Sequence, residues 1–220
     1  MTRTSSARFA GSTYLLYIAA GITSMLVFRN AAAGAGVPEK LASLAAHAPQ
    51  VRVTILLNLL TSFTALALGA ALYGITRDED PELAMLALTC RVIEGLTGAI
   101  GVGSTVDLLW LATRTAGPTA FDSATTTALG ASLLVPGAPI AAIFFAVGST
   151  IFCYLILRGR MVPAPLACLG LLASVLLAVA LPLQLVGLLT GAFTSYAVMW
   201  MPMLVFEIAI AFWLLVKGVA

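Results

Sequence analysis

An all-α fold, a polytopic transmembrane bundle of about six spanning helices, is predicted by the composition of this sequence and by its apolar blocks. Of the 220 residues, 61% are hydrophobic and 9% are charged, and the mean hydropathy is +1.07. So few charges cannot cover the surface of a soluble protein of this size. Nearly all apolar residues fall in blocks of about 20 or more, the length of helix that crosses about 30 Å of hydrocarbon.

The pattern inside the apolar blocks indicates helices rather than membrane β-strands. Leu, Ala, Ile, Val and Phe follow one another there, without the alternation of apolar and polar residues that outer-membrane strands show. We therefore predict one integral membrane domain over residues 1–220, whose helices satisfy the backbone hydrogen bonds internally. Its spans are expected at about 9–28, 53–75, 83–106, 139–157, 166–189 and 197–217.

Long connectors and short turns join these spans. Residues 29–50 contain apolar residues at helical spacing, which predicts a short helix at the membrane interface. Residues 115–138 are rich in Thr, Gly and Pro, and a second surface helix is expected around 121–134. The turn over residues 77–81 forces a hairpin, and its Asp80 and Pro81 suit the N-terminus of the third spanning helix.

The basic residues predict the orientation in the membrane. With six spans, both termini lie on one side together with Arg3, Arg8, Arg77, Arg158, Arg160 and Lys217, whereas Arg29, Lys40, Arg52 and Arg114 lie on the other. Because Lys and Arg are enriched on the cytoplasmic side, we predict a multi-pass protein of the cell inner (plasma) membrane with both termini in the cytoplasm. Membrane lipids are then its expected partners.

The sequence also excludes several classes of function. The formal net charge of +2 comes without a Lys/Arg cluster, so no nucleic-acid partner is expected. His47 is the only histidine, and the three cysteines lie in or beside apolar blocks, so we predict neither a metal site nor a cofactor. The sequence has no nucleotide-binding glycine loop and no hydrolase nucleophile elbow.

The third span carries Arg91 and Glu94 near its middle, and the sixth carries Glu207. A central charge costs roughly 2.5 to 3.5 kcal/mol on insertion scales, so such residues face a bundle interior, a partner or a cavity. At about 1.5 Å per residue, Arg91 lies about 14 Å and Glu94 about 18 Å from Glu82. Glu207 lies about 15 Å from Lys217 by the same rise. This shared depth predicts a direct Arg91–Glu207 pair, with Glu94 as the alternative acceptor.

Uncharged polar residues add to the charged ones. Tyr17 reaches about the same depth on the first span, and Tyr14 lies about one turn before it. We count both tyrosines as candidate members of the polar cluster, although a tyrosine can also serve as packing with a hydrogen-bonding tip. Asn58 lies about 9 Å from Arg52, nearer the outer side, and forms a second, separate polar point.

Small residues on the third span predict close helix packing. Gly95, Ala99 and Gly103 recur at a spacing of four residues, with Gly98 and Gly101 beside them. Such a row lets a neighbouring helix approach closely in a membrane.

Several motifs together resemble a prokaryotic integral membrane family, the domain of unknown function numbered 4386. They are the stretch Arg8-Phe9-Ala10-Gly11-Ser12-Thr13-Tyr14-Leu15, Arg91-x-x-Glu94, Tyr154-Leu155-x-x-Arg158 leading to Pro163, Pro202-x-x-x-x-Glu207, and Trp213-Leu214-Leu215-Val216-Lys217-Gly218. The resemblance covers essentially the whole chain, and the terminal motifs are its most specific part. It implies a multi-helix membrane protein without an established activity.

Three functions remain open for the polar cluster. The first is binding or moving a small or lipid-like molecule at Arg91, Glu94 and Glu207. The second is a structural or regulatory subunit whose ion network only fixes helix packing. The third is an intramembrane enzyme that uses Glu94 or Glu207 as a general acid or base, which the sequence favours least because no nucleophile or metal set accompanies the carboxylates.

Overall fold

The computed structural model of the chain describes residues 3–114, 122–135, 137–189 and 196–219. These residues form an all-α structure. The helices are α1 (Arg3–Ala31), α2 (Val37–Ala46), α3 (Ala48–Thr76), α4 (Pro81–Thr113), α5 (Ser123–Leu134), α6 (Ile140–Arg158), α7 (Ala164–Leu185), α8 (Tyr196–Met199) and α9 (Met201–Val216).

Five of these helices, α1, α3, α4, α6 and α7, are long and apolar enough to cross a membrane. The sixth predicted span corresponds to α9, which is equally apolar but has only 16 residues. At about 1.5 Å per residue it is about 24 Å long, shorter than the hydrocarbon core of about 30 Å. The chain is a multi-pass membrane protein, and the prediction of an all-α transmembrane fold is confirmed.

Local sequence signals explain where several helices begin. Asp80 caps α4, because its Oδ1 accepts a hydrogen bond from the backbone N–H of Leu83 at 3.1 Å. The Glu39 carboxylate folds back at the start of α2 and accepts hydrogen bonds from two backbone N–H groups, those of Ala35 at 2.7 Å and Gly36 at 3.2 Å. The helices predicted in the two connectors are present as α2 and α5.

The start of α5 has a hydrogen-bonded side-chain cap. The Asp122 carboxylate accepts from the backbone N–H of Thr125 at 2.9 Å and also from the Thr125 hydroxyl. The hydrogen bonds from the Thr125 side chain and backbone lower the pKa of the Asp122 carboxyl, because they stabilise its charged form. The cap thus fixes an end of a helix that follows the membrane-spanning α4.

The chain divides into two compact units. The first unit comprises Met1–Tyr17, Ser62–Thr97 and Ala138–Ala220. Within it, α6 packs against α7, and α7 packs against α9. Its core is a continuous cluster of apolar side chains that includes Phe152, Phe206 and Leu177.

Glycines let the helices of the first unit pack closely. A Cβ atom at Gly11 would lie 2.7 Å from the carbonyl oxygen of Ala211, so α1 touches the backbone of α9. A Cβ at Gly95 would lie 3.0 Å from the carbonyl oxygen of Ser62, which brings α4 equally close to α3. Such contacts give van der Waals packing in a medium where lipid is as apolar as leucine.

The second unit comprises Ile18–Thr61 and Gly98–Gly137. Its short helices α2 and α5 pack against each other, with Gly130 against the side chains of Leu41 and Val37.

The glycine row predicted on α4 makes close contacts along only part of its length. Gly95 in the first unit is packed, whereas a Cβ at Gly101 or Gly103 would meet no atom within 4 Å in the described part of the chain. The prediction of close packing is therefore wrong for Gly103 and Gly101, because that part of α4 presents its glycines to open space.

Candidate functional site

Arg91 is the most deeply buried charged residue of the first unit. Its side chain is only 1% exposed. It lies on the membrane-spanning helix α4, which carries few other charges. Its aliphatic stem passes between two glycines, because a Cβ at Gly69 would lie 2.7 Å from the Arg91 Cβ and one at Gly148 would lie 3.6 Å from its Cδ. Gly69 on α3 thus makes the room for the arginine of α4, and Gly148 on α6 lies beside the stem at an ordinary contact distance.

The guanidinium of Arg91 has one carboxylate beside it. Its Nη1 atom lies 2.9 Å from Oε2 of Glu94, three residues further along α4 and on the same face of the helix. The N–H groups of Arg91 do not point at the Glu94 oxygens, so the contact is not a hydrogen bond. None of the three guanidinium nitrogens makes a hydrogen bond with any described residue. The pair is held by charge rather than by directed hydrogen bonds.

Tyr17 brings α1 to the same point. Its hydroxyl donates to Oε1 of Glu94 at 2.9 Å. Its ring centroid lies 5.6 Å from Cζ of Arg91, so the tyrosine contacts both members of the ion pair. Tyr17, which the sequence analysis placed at the depth of the charged residues, thus contacts both of them.

Aromatic rings from α6 and from the start of α9 complete the surroundings. The ring centroid of Phe145 lies 5.0 Å from Cζ of Arg91, and the Phe145 ring is stacked on Tyr17 at 6.5 Å. Trp200 also stacks on Phe145, with 6.2 Å between the ring centroids. A desolvated cation over an aromatic face gains about 2 kcal/mol or more, which offsets part of the cost of burying Arg91.

Glu207 on α9 is buried with a relative exposure of 6%, and its charge lies within electrostatic range of Arg91. The predicted direct pair between the two is wrong. No ion pair within 4 Å joins them in the described chain, and Oε1 of Glu207 makes no hydrogen bond with a described residue. Depth counting places both residues at one level but does not determine which way they point, and Glu94 on the same helix face is nearer.

Of the remaining predicted residues, Tyr14 lies within electrostatic range of Arg91 and Glu207, whereas Asn58 makes its contacts in the second unit. Tyr14 is 4% exposed and belongs to the apolar core of the first unit. Asn58 belongs to the second unit, where its Oδ1 accepts a hydrogen bond from the Ser24 hydroxyl. Ser24 was not among the predicted residues, since a single serine in an apolar block carries no sequence signal of its own.

Phe145, which belongs to the site, and its stacking neighbour Trp200 were also missed. Phe145 lies about 20 Å from Arg158 by the helical rise, close to the depth of Glu94. Depth combined with the preference of arginine for aromatic faces would have made it a candidate, among other aromatic residues at similar depth. We call Arg91, Glu94, Glu207, Tyr17 and Phe145 the Arg91 cluster.

Comparison with known proteins places the chain in a family. No curated protein and no solved structure matches it. The family described as "Domain of unknown function (DUF4386)" matches residues 9–218, nearly the whole chain and the whole Arg91 cluster. The chain therefore belongs to the DUF4386 family, as its terminal and mid-chain motifs indicated.

Proposed function

We propose that this membrane protein binds a small or lipid-like molecule at the Arg91 cluster. The observation that carries the proposal is the buried guanidinium, 1% exposed, whose nitrogens make no hydrogen bond with the described residues. A buried donor without an acceptor costs about 1 to 3 kcal/mol, and more when it is charged. A bound molecule with acceptor oxygens would lower that cost, and intramembrane charges commonly mark such paths and sites.

The charges of the cluster indicate the type of head group. Arg91 and Glu94 already balance each other as an ion pair, so an anionic ligand would bring an uncompensated charge into a buried site. A neutral head group avoids that cost. It would accept hydrogen bonds from Arg91 and could donate one to Oε1 of Glu207. A primary amide or an un-ionised acid on an apolar chain has this combination of groups.

A structural role is the competing explanation, and one observation favours it. Gly69 packs tightly on the stem of Arg91, and Gly148 packs tightly on Cys90 next to it, as expected if this part of α4 fixes the register of α3, α4 and α6. Buried polar groups can specify one packing arrangement in this way. The two roles differ in what removal of the charges does to ligand binding when the fold is retained.

The membrane and the orientation are part of the same proposal. We propose the cell inner membrane with both termini in the cytoplasm, and membrane lipids as partners. Contacts in the first unit support a common side for three chain segments. Arg3 lies 3.8 Å from Glu79, and Arg158 lies 3.3 Å from Asp80, so the start of α1, the turn before α4 and the end of α6 meet.

The proposal is tested by titrating the purified protein in nanodiscs with oleamide and oleic acid, which share a chain and differ in the head group. We expect saturable oleamide binding to weaken about tenfold or more in the Arg91→Met/Glu94→Gln variant, because a hydrogen bond to a charged group contributes about 1.5 to 3 kcal/mol. Replacing both members of the ion pair leaves neither of its charges without the other, so the fold should persist. Arg158→Met, which removes an exposed arginine at the end of α6, is the matched control.

A folded double variant with unchanged binding of both probes would leave the structural role as the function of the cluster. Binding of neither probe to the original protein would overturn the assignment of the head group.

A further inference from the structure

The second unit contains a cleft of about 230 Å³ among its membrane-spanning helices. It is lined by residues of α1, α3 and α4, namely Gly21, Ser24, Met25, Phe28, Thr54, Asn58 and Thr105. More than half of these residues carry a hydroxyl or an amide group. Polar side chains in spanning helices tend to face a cavity or a partner rather than lipid, and four of them meet around this cleft.

Two of the three hydroxyl groups that line the cleft, those of Ser24 and Thr54, have already used their protons. Ser24 donates its proton to Oδ1 of Asn58, and Thr54 donates its proton to the carbonyl oxygen of Gln50 at 3.1 Å. A hydroxyl has a single proton and two lone pairs. Both oxygens can therefore only accept hydrogen bonds from a ligand, which must bring its own donors.

The cleft offers no charge to a ligand. None of its lining residues is acidic or basic. A charged group would lose its water there without gaining a counter-ion, whereas an uncharged O–H donor would not meet this penalty. The volume of about 230 Å³ corresponds to about eight water molecules of about 30 Å³ each, which is room for a small polyol.

We infer that this cleft binds an uncharged group with several hydroxyls, either a free polyol or the terminal glycerol of a lipid head group. The inference is independent of the proposed function, since no residue of the Arg91 cluster lines the cleft. The two sources share the same chemistry, and separate probes distinguish them.

The first variant is Thr54→Val, which keeps the side-chain shape and removes one acceptor. Its matched control is Thr89→Val, because the Thr89 hydroxyl makes the same kind of backbone hydrogen bond at 2.9 Å but is exposed on α4. The second variant is Gly21→Leu. A Cβ there meets no described atom within 4 Å, so the leucine can enter the cleft without displacing a neighbour.

Free polyol is probed by equilibrium dialysis with labelled glycerol. The lipid source is probed by native mass spectrometry with phosphatidylglycerol against phosphatidylethanolamine of the same acyl chains. For the probe that binds, we expect Thr54→Val to weaken binding about two- to tenfold, the effect of one neutral hydrogen bond. Gly21→Leu should abolish binding, and Thr89→Val should leave it unchanged.

Glycerol binding that follows this pattern identifies a free polyol, and a preference for phosphatidylglycerol that follows it identifies the lipid. Either result supports the inference. Equal binding in Thr54→Val, Gly21→Leu and Thr89→Val, or no binding of either probe to the original protein, would overturn it.

Discussion

At the scale of single residues, Arg91 is stabilised by neighbours of three kinds. Glu94 supplies an opposite charge at 2.9 Å, Tyr17 and Phe145 supply aromatic faces, and a glycine on α3 supplies room for the stem. Charge and rings offset desolvation, but they leave the directional hydrogen bonds of the guanidinium unmade. This imbalance is the physical basis for assigning a ligand to the cluster.

The hydrogen bond from Tyr17 to Glu94 gives a direct prediction. Tyr17→Phe keeps the ring over Arg91 but leaves Oε1 of Glu94 without its donor. We expect a loss of about 1 to 3 kcal/mol in the free energy of unfolding, measured by chemical denaturation in one detergent. Tyr154→Phe, at an exposed position of α6, is the control and should change little. Equal stability of both variants would show that the bond contributes nothing.

The partner of Arg91 can be identified by two double-mutant cycles. Because the ion pair is with Glu94, Arg91→Gln and Glu94→Gln should each cost about 3 to 5 kcal/mol and couple by about 0.5 to 3 kcal/mol. The cycle of Arg91→Gln with Glu207→Gln should show weaker coupling. Stronger coupling to Glu207 than to Glu94 would contradict the observed pairing.

At this scale the sequence predicted which polar residues share a depth, but not their contacts. Counting residues from the helix ends brought Tyr17, Arg91 and Glu94 to one level, because the rise of a helix is fixed. The same count could not choose between Glu94 and Glu207, since the choice depends on the rotation of α9 and on side-chain direction. Ser24, the partner of Asn58, had no distinguishing pattern around it.

At the scale of elements, α4 contributes differently to the two units. In the first unit it packs closely on α3 through Gly95 and carries both charges of the ion pair. In the second unit, a Cβ atom added at its Gly101 or Gly103 would meet no described atom within 4 Å. Equal spacing of small residues therefore does not imply equal packing, because a glycine row becomes a contact only where another helix lies over it.

This difference predicts opposite effects of the same substitution on one helix. Gly95→Ala places a Cβ 2.8 Å from Leu66 and 3.0 Å from the carbonyl oxygen of Ser62, so we expect a loss of about 1 to 3 kcal/mol in stability. The new Cβ of Gly101→Ala meets no described atom within 4 Å. This variant should leave stability unchanged or raise it by up to about 1 kcal/mol, since alanine favours the helix. Thermal melts in the same detergent compare the two. A tolerated Gly95→Ala would mean that α3 and α4 are not in close contact there.

At the scale of the whole molecule, the sequence predicted the class of fold because the apolar blocks match the thickness of a bilayer. It also predicted the connector helices α2 and α5. The shortness of α9 was not predicted, because the apolar run of residues 197–217 continues through the break between α8 and α9. Hydropathy measures how apolar a segment is, but it does not locate the residue at which a helix ends.

The orientation is tested by labelling single cysteines in whole cells with an impermeant thiol reagent. A cysteine-free background is needed, since Cys168 is exposed whereas Cys90 and Cys153 are buried. Ser43→Cys on α2 should be labelled from outside, and Glu79→Cys in the turn before α4 should be labelled only after the cells are opened. The reverse result would place the termini outside.

The most direct test of the central claim is an experimental density map of the protein in a lipid nanodisc, at a resolution that shows side chains around Arg91. A bound molecule predicts non-protein density within hydrogen-bonding distance, about 2.7 to 3.2 Å, of the guanidinium nitrogens. That density should be absent from the map of the Arg91→Met/Glu94→Gln variant. A map in which the carboxylate of Glu207 fills this position, with side chains packed on every side of Arg91, would contradict the claim.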